Sequence, residues 1–176
     1  MVDGFDIVIR EYDASDFEAV YVTINAAAMS FRDTIPADRW HEPYMPREEL
    51  SGEIADGVRF SCALVDGRVV GVMGLQRRDD VDLIRHAYVA SELQSHGVGA
   101  MLLEYVKAHS ERPILLGTWR ANVRAISFYG RHGYQLVGED HRERLLRTYW
   151  QIPERQIEES IVMADDGWVA VHAAGS

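Results

Sequence analysis

The chain has almost no lysine. Of its 18 basic residues in 176, 17 are arginine, and Lys107 is the single lysine. Against them stand 28 acids, for a formal net charge of −10. Sequence-independent nucleic-acid binding rests on neutralising phosphates with clustered Lys and Arg, so this balance excludes a general nucleic-acid binder. The same sign argues against docking on an anionic membrane surface. Cysteine is nearly absent as well. Cys62 stands alone, so no intrachain disulfide can form, and its place in the apolar run 60–65 reads as a small buried hydrophobe. No apolar run approaches the ~20 residues a membrane helix needs. Residues 1–6 carry acid where a secretion signal needs a positive start and an apolar stretch. A cytoplasmic protein without a membrane partner is therefore expected. The seven histidines form no HxH or HxxxH pair and no Cys/His cluster, so no metal site is expected. Internal repeats and low-complexity stretches are also missing, and the length suits one domain.

What remains is a patterned globular sequence. Residues 5–12 alternate apolar and polar side chains, as a half-buried strand does. Asp13 or Ser15 can cap a helix running to about Phe31. An irregular, aromatic-rich stretch leads to a second helix, from Pro46 to Gly57. Strand-like runs 58–65 and 68–76 flank Asp66-Gly67, a strong hairpin signal. A strand at 81–90, a helix over about 97–110, a strand at 113–119 and a helix over 122–132 follow. Strands at 134–139 and 157–163 close the pattern. The stretch 140–156 has no clear period, and 164–176 reads as a flexible tail. The order β-α-α-β-β-β-α-β-α-β-β predicts one α/β domain with its core at 5–163. Its mixed, mostly antiparallel sheet has about seven strands and about four flanking helices.

Two segments carry chemistry. In the first, Gly97 and Gly99 lie between a strand and a helix whose apolar face holds Val98, Leu102, Tyr105, Val106 and His109. Glycines there let backbone N–H groups approach an anion, and the helix N-terminus adds a favourable dipole. The segment lacks the Gly-Lys-Ser/Thr ending of a P-loop and one glycine of the dinucleotide fingerprint. It is either a pyrophosphate cradle for another ligand or a plain glycine-rich helix start. In the second segment Asn122, Ala125, Ile126 and Tyr129 share one helix face. Asn122 either contacts an elongated ligand or caps the helix, and Tyr129 either meets that ligand or packs the core.

Together the two segments resemble the GNAT superfamily of acetyl-CoA-dependent N-acyltransferases. The superfamily's Q/R-x-x-G-x-G/A loop is matched by Gln94, Gly97 and Gly99. Its N-x-x-A-x-x-F-Y-x-x-x-G-Y/F helix is matched by Asn122, Ala125, Phe128, Tyr129, Gly133 and Tyr134. The resemblance implies a V-shaped splay between the fourth and fifth strands that admits pantetheine. It implies that pantetheine pairs with the backbone of Ala87, Tyr88 and Val89 and is flanked by Asn122 and Phe128. The pyrophosphate then rests on Gln94, Ser95, His96, Gly97, Val98, Gly99 and Ala100. An N–H near Val89 would hold the oxyanion, and Tyr129 would protonate the departing thiolate. The base is either His86, on the central strand just before the expected acyl site, or ordered water.

The acceptor is expected to be a small-molecule amine attacking acetyl-CoA directly. Phe31, Arg32, Trp40, Glu42 and Tyr44, with Trp119 and Trp150, are the candidate residues for binding it. Aromatics suit cation–π contacts and Arg32 suits a carboxylate, although the same aromatics can simply pack a lid. Alternatives are acetylation of a protein N-terminus or lysine, and a non-catalytic acyl-CoA-binding module. A monomer or homodimer is expected. The charge is uneven in a way that fits a phosphate-rich cosubstrate. Residues 81–135 hold 6 bases and 4 acids, whereas 1–80 hold 8 and 16, and 136–176 hold 4 and 8.

Overall fold

The computed structural model describes residues 6–172. The strands are β1 (Ile7–Glu11), β2 (Val58–Val65), β3 (Arg68–Arg77), β4 (Asp82–Val89), β5 (Ile114–Trp119), β6 (Gln135–Leu136) and β7 (Ser160–Ala164). They follow the order β1-β2-β3-β4-β5-β7-β6 in one mixed sheet, mostly antiparallel, with β4 and β5 parallel. The β4–β5 ladder runs only through Ile84 and Leu116. Among the described residues no helix is long and apolar enough to cross a membrane. The chain forms two compact units, 6–77 with 85–109, and 78–84 with 110–172.

The first unit is built on the β2–β3 hairpin. Asp66 and Gly67 take φ of 50° and 75°, the double positive φ that a two-residue hairpin turn requires. Helix α1 (Phe17–Ala28) is prepared by a capping box in which Asp13 accepts from the Ser15 N–H and Asp16 accepts from the Asp13 N–H. Its α-helix ends at Ala28, short of Phe31, and continues as a 3-10 turn to Thr34. Helix α2 (Arg47–Ala55) follows Pro46, whose fixed φ suits a helix start. Val20, Ile24, Met45, Leu50, Val58, Phe60, Cys62 and Val72 form one core cluster. Helix α3 (Val98–Ala108) packs the other face of the sheet, because Gly71 next to Val72 lies against Leu102 and Val98.

The second unit carries helices α4 (Val123–Arg131), α5 (Glu139–Tyr149), α6 (Glu154–Glu158) and α7 (Asp166–His172). Its core joins Val81, Leu83 and Leu115 to Leu145, Leu146, Trp150, Ile157, Val162 and Trp168. Buried Arg142 ties α5 down, donating to the Ile157 and Ser160 carbonyls at 2.6 and 2.9 Å. Two expectations change here. The unassigned stretch 140–156 is largely helix, because Leu145, Leu146, Tyr149 and Trp150 recur at helical spacing. The expected tail is helical through His172, with Trp168 buried. Asp165 fixes it by accepting from the Ile114 and Trp168 N–H groups at 2.9 and 3.0 Å. Residues 5 and 173–176 of the expected strand and tail lie outside the described residues. The chain has seven α-helices among those residues rather than four, and β6 is shorter than expected.

Candidate active site

In the first unit, β4 does not run straight. His86 has φ of 53°, a left-handed conformation that costs a residue with a side chain about 1–2 kcal/mol. On a regular strand Arg85 and His86 would point to opposite faces. Here both reach one carboxylate. Arg85 Nη2 lies 3.0 Å from Glu53 Oε1, and His86 Nε2 lies 3.2 Å from Glu53 Oε2. The irregular backbone at His86 accounts for the shared target, and such strand irregularities often sit beside active sites, where they re-aim a side chain. Gly74 on β3 makes room for it, since a Cβ there would stand 2.7 Å from the Arg85 carbonyl oxygen.

Arg85 is held twice. Its Nη1 donates to Gln76 Oε1 at 2.8 Å, and buried Gln76 donates from Nε2 to the Asp56 carbonyl at 3.0 Å. The Glu53 and His86 side chains are only 19% and 15% exposed. His86 Nε2 is within ion-pair distance of Glu53 but off the hydrogen-bond line, so this buried nitrogen has a charged neighbour without an aligned bond. Phe60 packs beside the imidazole with ring centroids 6.2 Å apart.

Five of the expected acceptor residues gather in the same unit. Tyr88 on β4 meets Phe31 and Tyr44 edge-on, at 6.1 and 6.2 Å. Trp40 stacks on Tyr44 at 5.5 Å. The Arg32 guanidinium lies 5.6 Å above the Trp40 ring and 3.7 Å from Glu42. Burial pushes the Tyr44 phenol above its ordinary value, and a side-chain hydrogen bond with Tyr88 opposes that shift. The cluster thus has an aromatic body and a charged rim.

The 94–100 loop has a distinctive backbone. Ser95 and Gly97 take φ of 71° and 79°, and Gly97 is the N-cap of α3. Left-handed residues next to right-handed ones form a concave nest of N–H groups suited to an anion. The first turn of α3 supplies further N–H groups that have no partners within the helix. Gln94 serves as the anchor, with its Nε2 donating to the Val89 carbonyl at 3.0 Å and to Ser30 Oγ at 3.4 Å. His96 Nδ1 lies 3.0 Å from the Gln94 carbonyl. Ala87, Tyr88 and Val89 complete β4, partly accessible.

In the second unit, Asn122 takes the capping role, its Oδ1 accepting from the Ala125 N–H at 3.1 Å while Nδ2 reaches Thr118 Oγ1 at 3.3 Å. Tyr129 is buried between Phe128 and Tyr134, with ring centroids at 5.0 and 5.5 Å. Desolvation pushes its phenol far above the ordinary value. Trp150 departs from expectation. Its ring packs 3.3–3.5 Å from where a Gly117 Cβ would sit, and it belongs to the unit's hydrophobic core. Trp119 is half-buried where β5 pairs with Ser160. Glu53, Arg85 and Gln76 were not foreseen. Glu53 is one of several acids on α2, and nothing in its spacing marks the partner 33 residues on.

Residues 10–148 match the family described as an acetyltransferase (GNAT) domain. No curated protein sequence matches the chain. Among solved structures, a GNAT-family acetyltransferase from Staphylococcus aureus Mu50 is 21% identical with a TM-score of 0.68, over 91% of this chain and 98% of that one. PaiA N-acetyltransferase from Thermoplasma acidophilum, solved with coenzyme A, is 17% identical with a TM-score of 0.66, over 91% and 98%. The ribosomal-protein-S18-alanine N-acetyltransferase from Escherichia coli is 16% identical with a TM-score of 0.65, over 91% and 93%. At these identities the likeness speaks for the fold, and the family match covers well over half of the sequence. The chain belongs to the GNAT acetyltransferase family, and it is an acyltransferase.

Proposed function

We propose that the chain transfers an acetyl group from acetyl-CoA to the primary amine of a small molecule by direct attack. The observation that carries the small-amine reading is the convergence of Phe31 and Tyr44 on Tyr88, a strand residue beside the expected acyl position, with Trp40 stacked on Tyr44. Aromatic faces attract a cationic amine, and the charged rim of Arg32 and Glu42 suits a polar substituent. A peptide substrate would need a long open groove instead.

The cosubstrate fits what the loop offers. The nest at Ser95–Gly97 and the start of α3 suit a pyrophosphate, and directed N–H groups need no large net charge for this. Asn122 and Phe128 are assigned to the pantetheine arm, with Asn122 acting mainly by holding the start of α4. The N–H near Val89 is assigned to the oxyanion. Tyr129 is assigned the acid role. Burial keeps the phenol protonated and makes it a weaker acid, so it gives up its proton only as negative charge develops on the sulfur beside it. His86 is assigned as the base.

An amine panel with acetyl-CoA, read by free-thiol release, tests this reading. Small cationic amines should be turned over and peptides bearing a free N-terminus should not. Turnover confined to peptides would favour protein acetylation, as the name of the Escherichia coli structure suggests for that protein. Acetyl-CoA binding without thiol release from any amine would favour a binding module.

A further inference from the structure

Glu53 meets its two partners in a fixed sense. Arg85 occupies Oε1, held there by its second bond to Gln76, and Oε2 is left for His86 Nε2. The groups gathered at the imidazole are Glu53 from α2, Arg85 from its own strand and Phe60 from β2. A carboxylate accepts hydrogen bonds and cannot donate them. Its negative charge, 3.2 Å from Nε2 though off the hydrogen-bond line, favours the tautomer that carries the proton there. We propose that Glu53 is a positioning residue for the base: it holds His86 as the Nε2–H tautomer and leaves the Nδ1 lone pair to take a proton from the acceptor ammonium. This rests on the acyl-transfer reading above and adds a group to it.

The step balances. His86 Nδ1 takes one proton from the ammonium, and the freed nitrogen lone pair forms a bond to the thioester carbonyl carbon. The C–S bond then breaks and the sulfur leaves with its electron pair. The second nitrogen proton passes to sulfur by way of Tyr129, and the imidazolium returns its proton to solvent.

The test is Glu53→Gln, which keeps shape and size. Arg85 offers only donors, so it selects the carbonyl end of the new amide. The amide NH2 then faces His86 Nε2 and forces the proton onto Nδ1, where it blocks the base. Buried acid-histidine pairs lose activity through this tautomer reversal. With an alkylamine that is protonated at neutral pH, E53Q should lower kcat about 10- to 100-fold, a large part of what a positioned base contributes. The KM for acetyl-CoA should stay level. An arylamine or arylhydrazine acceptor, already unprotonated at that pH, needs no base. It should lose less than about threefold, since only the base-dependent part of the rate is removed. His86→Ala should show the same selectivity, and the double variant should be no worse than His86→Ala alone.

Equal losses for both amine types, or additive losses in the double variant, would overturn the positioning role while leaving acyl transfer intact. Wild-type protein that turns over no amine would overturn the parent reading and this one together. Thermal unfolding of E53Q at the wild-type temperature separates both results from a folding defect.

Discussion

Segments 31–46 and 140–156 both set aromatic rings among charged side chains, and they fold in opposite ways. In 31–46 short 3-10 turns alternate with irregular chain, Trp40 stacks on Tyr44, Phe31 and Tyr44 meet Tyr88, and Arg32 and Glu42 are about 57% and 61% exposed at the rim. In 140–156 the aromatics lie at the end of an eleven-residue helix, and Trp150 is 8% exposed. What separates them is period, because aromatic content is similar. Leu145, Leu146, Tyr149 and Trp150 make a stripe that a helix can bury, while Trp40 and Tyr44, though four residues apart, have Pro43 between them, which a helix interior does not tolerate, and Phe31 stands far upstream. Rings outside an unbroken stripe gather on a neighbouring strand instead, here with Phe31 and Tyr44 on Tyr88, and leave their polar neighbours in water.

The sharpest way to break this contrast is to delete one tryptophan from each segment. Trp150→Ala should destabilise the fold by about 3–5 kcal/mol, as removal of a buried aromatic does. Trp40→Ala should cost less than about 1 kcal/mol, since stacking at a half-exposed site contributes little more. Urea denaturation of both variants measures the difference. Equal losses would mean that 31–46 is also core and that its aromatics pack a lid with no ligand to meet.

The arginines extend the comparison at smaller scale. Arg142→Ala removes bonds from two buried carbonyls, and each unmet group costs about 1–3 kcal/mol. Arg32→Ala breaks only an exposed pair, worth roughly 0–1 kcal/mol. The readouts should then cross over. Trp40→Ala and Arg32→Ala should raise the KM for the amine a few-fold, about 1 kcal/mol of cation–π or polar contact, and leave the KM for acetyl-CoA unchanged. An unchanged amine KM in both variants would remove 31–46 from the acceptor site.

Much of this architecture was readable in the sequence, for identifiable reasons. Asp66-Gly67 fixed the hairpin because few other residue pairs accept two positive φ angles. Gln94, Gly97 and Gly99 marked the loop because a left-handed N-cap needs glycine. Local chemistry of this kind is written in adjacent residues. The buried tail helix was missed, although Asp165 stands three residues before Trp168, where a capping residue does. The meeting of Glu53 with Arg85 and His86 was hidden. It depends on a strand irregularity that puts two successive residues on one face, and no spacing rule anticipates that. Trp150 shows the limit of reading a ring by type alone, since its place in the helical stripe with Leu145 and Leu146 is what buries it.

The smallest effect concerns acid. Segment 140–156 is fastened at both ends by carboxylates held below their ordinary value near 4.5. Arg142, then Arg120, lowers Glu139, and Arg147 lowers Glu154. A carboxyl that titrates lower in the folded state than in the unfolded chain adds stability at pH above about 4.5, and that stability fades as pH falls through the folded-state value. Glu154 is solvent-exposed at 70%, so salt should weaken its share. Glu139→Gln and Glu154→Gln should therefore lower stability slightly at neutral pH, with the gap to wild type closing in acid. Urea midpoints taken at pH 7 and pH 3 read this directly. A gap that persisted at pH 3 would show that these side chains support α5 by packing rather than by charge, and the two segments would then differ less in kind than their exposure suggests.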